Sequence, residues 1–187
     1  MRVRFVLYGL TIALMAAGCS SRAGGNAAEL VREHYAALGE TLYTVTLRTD
    51  FGDRVLDFGV EYTHRPGGGG RMRVVSPELI AGIEAETGPD GVTLLYDGLL
   101  LDLGALPGTG LSPMESLPFI IGQWSGGYVT QTGTERRAGR SLISITTRRT
   151  ENSAALEVRT WFDAETLSPV TAELYANGFM TVNAIFE

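Results

Sequence analysis

Two hydrophobic periods divide the chain. Near the N-terminus, Leu30, Val31, Tyr35 and Leu38 recur at the spacing of one helical face. This predicts a helix over 27–38, with Asn26 as its N-cap and Gly39 as its stop. Beyond it the period becomes two. Tyr43, Val45 and Leu47 alternate with Thr44, Thr46 and Arg48. Leu56, Phe58, Val60 and Tyr62 alternate with Asp57, Gly59 and Glu61. The intervening Phe51-Gly52-Asp53-Arg54 reads as a turn, so the two runs form an antiparallel hairpin with one polar face. Arg65-Pro66 and the glycine run 67–70 lead into a strand at 71–75. Alternation predicts further strands over 83–87, 92–96, 99–103, 128–134, 141–149, 155–163, 169–176 and 179–186. Turns are expected at Pro89-Asp90-Gly91, Asp97-Gly98 and Asn177-Gly178; the last is the strongest short hairpin signal in the chain.

One segment interrupts the strands. Ser112-Pro113-Met114-Glu115 carries a capping box, with Ser as N-cap, Pro at the first helical position and Glu three residues after the Ser. The helix expected over 114–124 is apolar on most sides, so it belongs in the interior. Gly126-Gly127 ends it. About ten strands and two helices could close as a barrel, split into a sandwich, or curl around the helices. The apolar second helix favours the third, a mainly β, single curved antiparallel half-barrel, because it needs a concave surface over it. No repeat and no shift in composition marks a second domain.

Composition narrows the class. With 187 residues, 44% hydrophobic and 19% charged, the chain is no disordered segment. Its net charge is −6 and it contains no lysine, so nucleic acid is not expected as a partner. Residues 1–18 have two arginines followed by a short apolar stretch, the pattern of an export signal and too short for a stable membrane span. Residues 19–26 then read as a polar tether and 27–187 as the folded domain. Loss of Arg2 and Arg4 with the leader would take the net charge to −8.

Catalytic patterns are scarce. His34 and His64 stand apart, and no zinc spacing occurs. Gly122-Gln123-Trp124-Ser125-Gly126 lacks the order of a nucleophile elbow. Gly108-Thr109-Gly110 precedes the second helix without the lysine of a phosphate loop. Carboxylate pairs such as Asp53/Asp57 or Glu84/Glu86 leave only an enzyme with a dispersed site as a third-choice reading. No cofactor is expected.

Apolar side chains remain. Val45, Phe58, Tyr62, Leu94, Tyr96, Leu156, Val158 and Phe162 are candidates for the inner face, with Phe119, Ile120 and Trp124 from the second helix. They read either as plain core or as the lining of a cavity that takes an acyl chain or a partner's side chain. Trp161 alternates with Phe162, so one of the two should stand outside, where it could join an interface. Arg136, Arg137, Arg140, Arg148 and Arg149 lie on one expected hairpin. They read as a solvated edge that blocks strand pairing, or as a dock for an acidic partner or anionic headgroups.

Several motifs resemble a known family. Ala16-Ala17-Gly18-Cys19 is similar to the bacterial lipobox, with Ala16 where Leu is commoner. That resemblance implies diacylglyceryl attachment at Cys19 and a place on the outer face of the cell membrane. The run Trp161-Phe162-Asp163 to Leu167-Ser168-Pro169, then Glu173-Leu174-Tyr175-Ala176-Asn177-Gly178, resembles a hairpin of the LolA/LolB superfamily of half-barrels. Arg71-Met72-Arg73-Val74-Val75-Ser76-Pro77-Glu78, with Gly82, Asp90-Gly91 and Tyr96, is similar to its lipid-anchored, GerS-like germination branch in spore-forming Gram-positive bacteria. The four-glycine run departs from the short link of that family. The resemblance implies a non-enzymatic binding module, partnering a cell-wall amidase in germination or carrying lipid or lipoprotein acyl chains. A homodimer stays open.

Overall fold

Among the described residues, ten strands pair in one open antiparallel sheet, with two helices packed against it. A computed structural model describes residues 21–67, 69–88, 91–95, 109, 111–151 and 153–187. The elements are α1 (Ser21–Ala36), β1 (Thr41–Asp50), β2 (Val55–Arg65), β3 (Gly69–Ser76), β4 (Glu84–Gly88), β5 (Gly91–Leu95), α2 (Pro113–Gly126), β6 (Tyr128–Arg137), β7 (Arg140–Glu151), β8 (Ala154–Asp163), β9 (Pro169–Ala176) and β10 (Phe179–Phe186). Their order in the sheet is β5-β4-β3-β2-β1-β10-β9-β8-β7-β6. Among the described strands the two meanders thus meet in the middle at the β1–β10 pair, with β5 and β6 outermost. The leader, Cys19, Tyr96, the Asp97-Gly98 turn and the strand expected at 99–103 lie outside the described residues.

The second helix forms as its sequence dictates. The Ser112 hydroxyl accepts from the Glu115 N–H at 3.3 Å, and the Glu115 carboxylate accepts from the Ser112 N–H at 2.7 Å. Its apolar residues Met114, Leu117, Ile120, Ile121 and Trp124 are buried. They meet β3 and β4 on one side and β9 and β10 on the other, which is the expected curl of the sheet around a helix. Gly127 closes the helix in extended backbone; a Cβ there would lie 2.5 Å from the Gln123 carbonyl oxygen.

The first helix differs from its prediction. It spans Ser21–Ala36, so residues 21–26 are helical and Asn26 lies inside the helix instead of capping it. Glycines at 24 and 25 cost about 1 kcal/mol each, which fails to stop a run without proline that continues into packed turns. The helix ends at Ala36, short of Gly39, with the Ala37 N–H on the Glu33 carbonyl. Val31 and Tyr35 are buried as expected, whereas Leu30 is half exposed.

The glycine run is also more ordered than a link. Gly67 turns the chain with a φ of 90°, while Gly69 and Gly70 pair within β3. A Cβ on Gly70 would lie 2.6 Å from the ring of the buried Tyr62, so the ring packs where a side chain would stand.

The sheet has two unlike ends. The Asn177 end carries the β1–β2, β7–β8 and β9–β10 turns and the start of β6. The Leu167 end carries the β2–β3, β6–β7 and β8–β9 turns. Helix α1 runs from the first towards the second. Its Arg32 guanidinium donates to the Gly127 carbonyl, just before β6, at 3.1 Å. Three residues later the Tyr35 hydroxyl donates to the Leu167 carbonyl at 2.7 Å.

Candidate functional site

Under the helices, an aromatic cluster fills the concave side. The Trp124 ring lies 4.7 Å from Tyr35, 5.4 Å from Phe162, 5.5 Å from Phe186 and 6.0 Å from Tyr43, centroid to centroid. Its indole N–H donates to the buried Thr160 hydroxyl at 2.9 Å, so the one polar atom of the ring is satisfied. Burial, with Tyr43 close by, pushes the Tyr35 hydroxyl far up. Burial, reinforced by Tyr62, pushes Tyr43 up to about 12. These phenols stay protonated at neutral pH, and that of Tyr35 donates to the Leu167 carbonyl. Burial also lowers His64 from the usual imidazole range.

The residues expected on the inner face share this interior. Val45, Phe58, Tyr62, Leu94, Ile120, Trp124, Leu156, Val158 and Phe162 belong to one buried core, and Phe119 packs against it half-buried. Strand alternation identified most of them. It did not reach Tyr35 and Phe186, which complete the ring cluster from α1 and the end of β10 and meet Trp124 only through tertiary packing.

Trp161 and Phe162 point to opposite faces, as expected. Trp161 stands on the outer face yet keeps only 9% exposure, because the Arg137 guanidinium lies 4.8 Å over its ring. The aromatic expected to be open at an interface is therefore roofed by a cation. The five arginines share the β6–β7 hairpin but do not form one cluster. Arg136, Arg137 and Arg140 sit at its turn, at the Leu167 end. Arg148 and Arg149 lie at the opposite end, about 30 Å away at ~3.4 Å per residue. Alternation cannot show this split, which depends on strand length.

At the Asn177 end the rim of the sheet carries a groove of about 500 Å³. Arg148, Arg149 and Arg159 line it with Glu157, Tyr128, Tyr175 and Asn177. Glu157 accepts from both Arg148 and Arg159 at 2.7 Å, and Arg159 lies 4.6 Å over the Tyr175 ring. Burial alone would raise the Glu157 carboxyl, but hydrogen bonds from Arg148 and Arg159 outweigh it and hold the group below the usual range. Tyr128 is 75% exposed at the rim. Asn177 also borders a second groove, of about 350 Å³, with Phe179, Met180 and Asp50. Phe179 is 78% exposed.

Among the described residues, no three His, Cys, Asp or Glu gather where they could hold a metal ion. No helix among them is long and apolar enough to cross a membrane.

No family model matches the sequence, and no curated protein matches it. Solved structures share its outline. A LolA superfamily protein from Nitrosomonas europaea is 13% identical, over 82% of this chain and 74% of that one, with a TM-score of 0.44. The lipoprotein LppX of Mycobacterium tuberculosis is 16% identical, over 87% and 93%, with a TM-score of 0.44. A chain from the complex of the Clostridioides difficile CwlD amidase with the GerS lipoprotein is 10% identical, over 87% and 92%, with a TM-score of 0.38.

Proposed function

We propose that this chain is a membrane-tethered, extracytoplasmic binding module that performs no chemistry of its own and works through a protein partner in the cell envelope. One observation carries the reading. Among the described residues, Tyr35, Tyr43, Trp124, Phe162 and Phe186 pack against one another between the helices and the sheet, while the grooves lie at the Asn177 end. A module of this kind presents its outside. The lipobox-like Cys19 supplies the tether: several acyl chains hold a protein durably where one holds it only marginally. The partner we favour is a cell-wall amidase of the germination type, on the strength of the sequence resemblance at 71–78 and 161–178.

Two experiments test this reading. Cys19→Ser should release the chain from the membrane fraction; if that variant still sediments with membranes, the tether is wrong. Affinity capture of the lipidated chain from its own envelope should return a stoichiometric wall amidase. Return of an acyl-bearing lipoprotein in its place would replace the partner with a cargo.

A further inference from the structure

The structure assigns Asn177 as a site of spontaneous deamidation, gated by the hydrogen bonds that tie it to Ala155 at the start of β8. This stands apart from the tether and the partner proposed above. The first ground is chemical. The chain has four asparagines, and only Asn177 precedes a glycine. A glycine nitrogen has no side chain beside it, so it is the backbone nitrogen best able to reach the carboxamide before it. Asn177 and Gly178 are both exposed, and nothing lies within 4 Å of where a Gly178 Cβ would stand.

The reaction needs only water and a base to take a proton. The deprotonated Gly178 nitrogen attacks Cγ of Asn177. A C–N bond forms, the Cγ–Nδ2 bond breaks, and the amide nitrogen leaves as ammonia. The five-membered imide then takes up one water at either carbonyl. Opening at Cγ gives aspartate. Opening at the backbone carbonyl gives isoaspartate, in which the main chain runs through the side-chain methylene.

The second ground is the fold. Asn177 sits in left-handed backbone, and Ala155 pins it twice. The Ala155 N–H donates to Oδ1 of Asn177 at 3.1 Å, and the Asn177 N–H donates to the Ala155 carbonyl at 2.9 Å. The first bond holds the group under attack, so the ring closes only after the carboxamide turns from Ala155 onto the Gly178 nitrogen. The second bond fixes the backbone about which it must turn. Deamidation therefore starts from a local opening, in which the β9–β10 turn parts from Ala155 while the sheet stays paired.

The two products differ. An aspartate oxygen still accepts the Ala155 N–H, and a charged acceptor strengthens such a bond. Isoaspartate lengthens a two-residue turn, and turn length sets hairpin register. That product loosens the corner that borders both grooves.

Peptide mapping by mass spectrometry, after the full chain is held at mildly alkaline pH, tests this. The expected change, an amide replaced by an acid, falls on the peptide holding Asn177. It is absent from Asn177→Gly, which keeps the left-handed backbone. Each net hydrogen bond is worth about fivefold, so the folded chain should react about thirtyfold more slowly than the chain unfolded in urea. Hydrogen exchange of the Ala155 amide gives a second readout. Its rate and the deamidation rate should rise together at urea concentrations below the unfolding transition. A change that falls first on another asparagine, or a folded rate equal to the unfolded one, overturns the proposal. Deamidation that waits for unfolding of the whole chain, out of step with Ala155 exchange, overturns the local gate.

Discussion

The two ends of the sheet use the same residue types to opposite effect. At the Leu167 end an arginine roofs Trp161 and a tyrosine hydroxyl from α1 grips the β8–β9 turn. At the Asn177 end arginines and aromatics line open grooves. The contrast extends to the turns. Ala138-Gly139 and Asn177-Gly178 both adopt left-handed backbone, with φ of 47° and 81° in the first and 51° and 88° in the second. Both therefore fit the tight turn that suits a twisted hairpin. Only the second has the residue that suits it. One end is closed by contacts across elements, and the other carries open grooves.

The largest test of this contrast is truncation of an aromatic at each place. Trp124→Ala should cost about 3–5 kcal/mol of stability in urea unfolding, since it opens a cavity beneath both helices and strands the Thr160 hydroxyl. Phe179→Ala should stay within ~0.5 kcal/mol, because the side chain touches mainly water. Next is Tyr35→Phe. It deletes the bond to the Leu167 carbonyl and should cost about 1 kcal/mol. If this contact is what holds the end of α1, hydrogen exchange should rise at 164–168 and remain unchanged at 177–180.

The turns offer a gain. Ala138→Asn gives the β6–β7 turn the residue found at 177, and should raise stability by about 0.5–1 kcal/mol, read from the urea midpoint at constant slope. The smallest effect is on pH. Arg148 and Arg159 hold the folded Glu157 carboxyl below its unfolded value, so its contribution is present above about pH 4.3 and is lost as pH falls through the depressed folded value. Glu157→Gln should flatten that part of the acid limb of the stability curve, as measured by urea unfolding from pH 5 downward.

Much of the fold was legible along the chain because it depends on period and local chemistry. Alternation located β1, β2 and the last two strands, and Ser112 to Glu115 announced α2 by its capping box. What stayed hidden depends on distance or on absent side chains. Ala138 carries no turn signal, since nothing about alanine favours positive φ. Gly70 looked like part of a loose link because only the Tyr62 ring packed over it explains a glycine inside β3. The site was less legible than the fold. The Arg148–Glu157–Arg159–Tyr175 arrangement requires the β7–β8–β9 register, and the separation of the five arginines requires the length of β7.

The central claim is that this domain binds with its outer surfaces and keeps its interior for itself. Native mass spectrometry of the Cys19→Ser chain, produced in contact with envelope lipids, tests it most directly. The account predicts the mass of the polypeptide alone. A stoichiometric acyl-bearing ligand, retained through purification and lost only on unfolding, would contradict it.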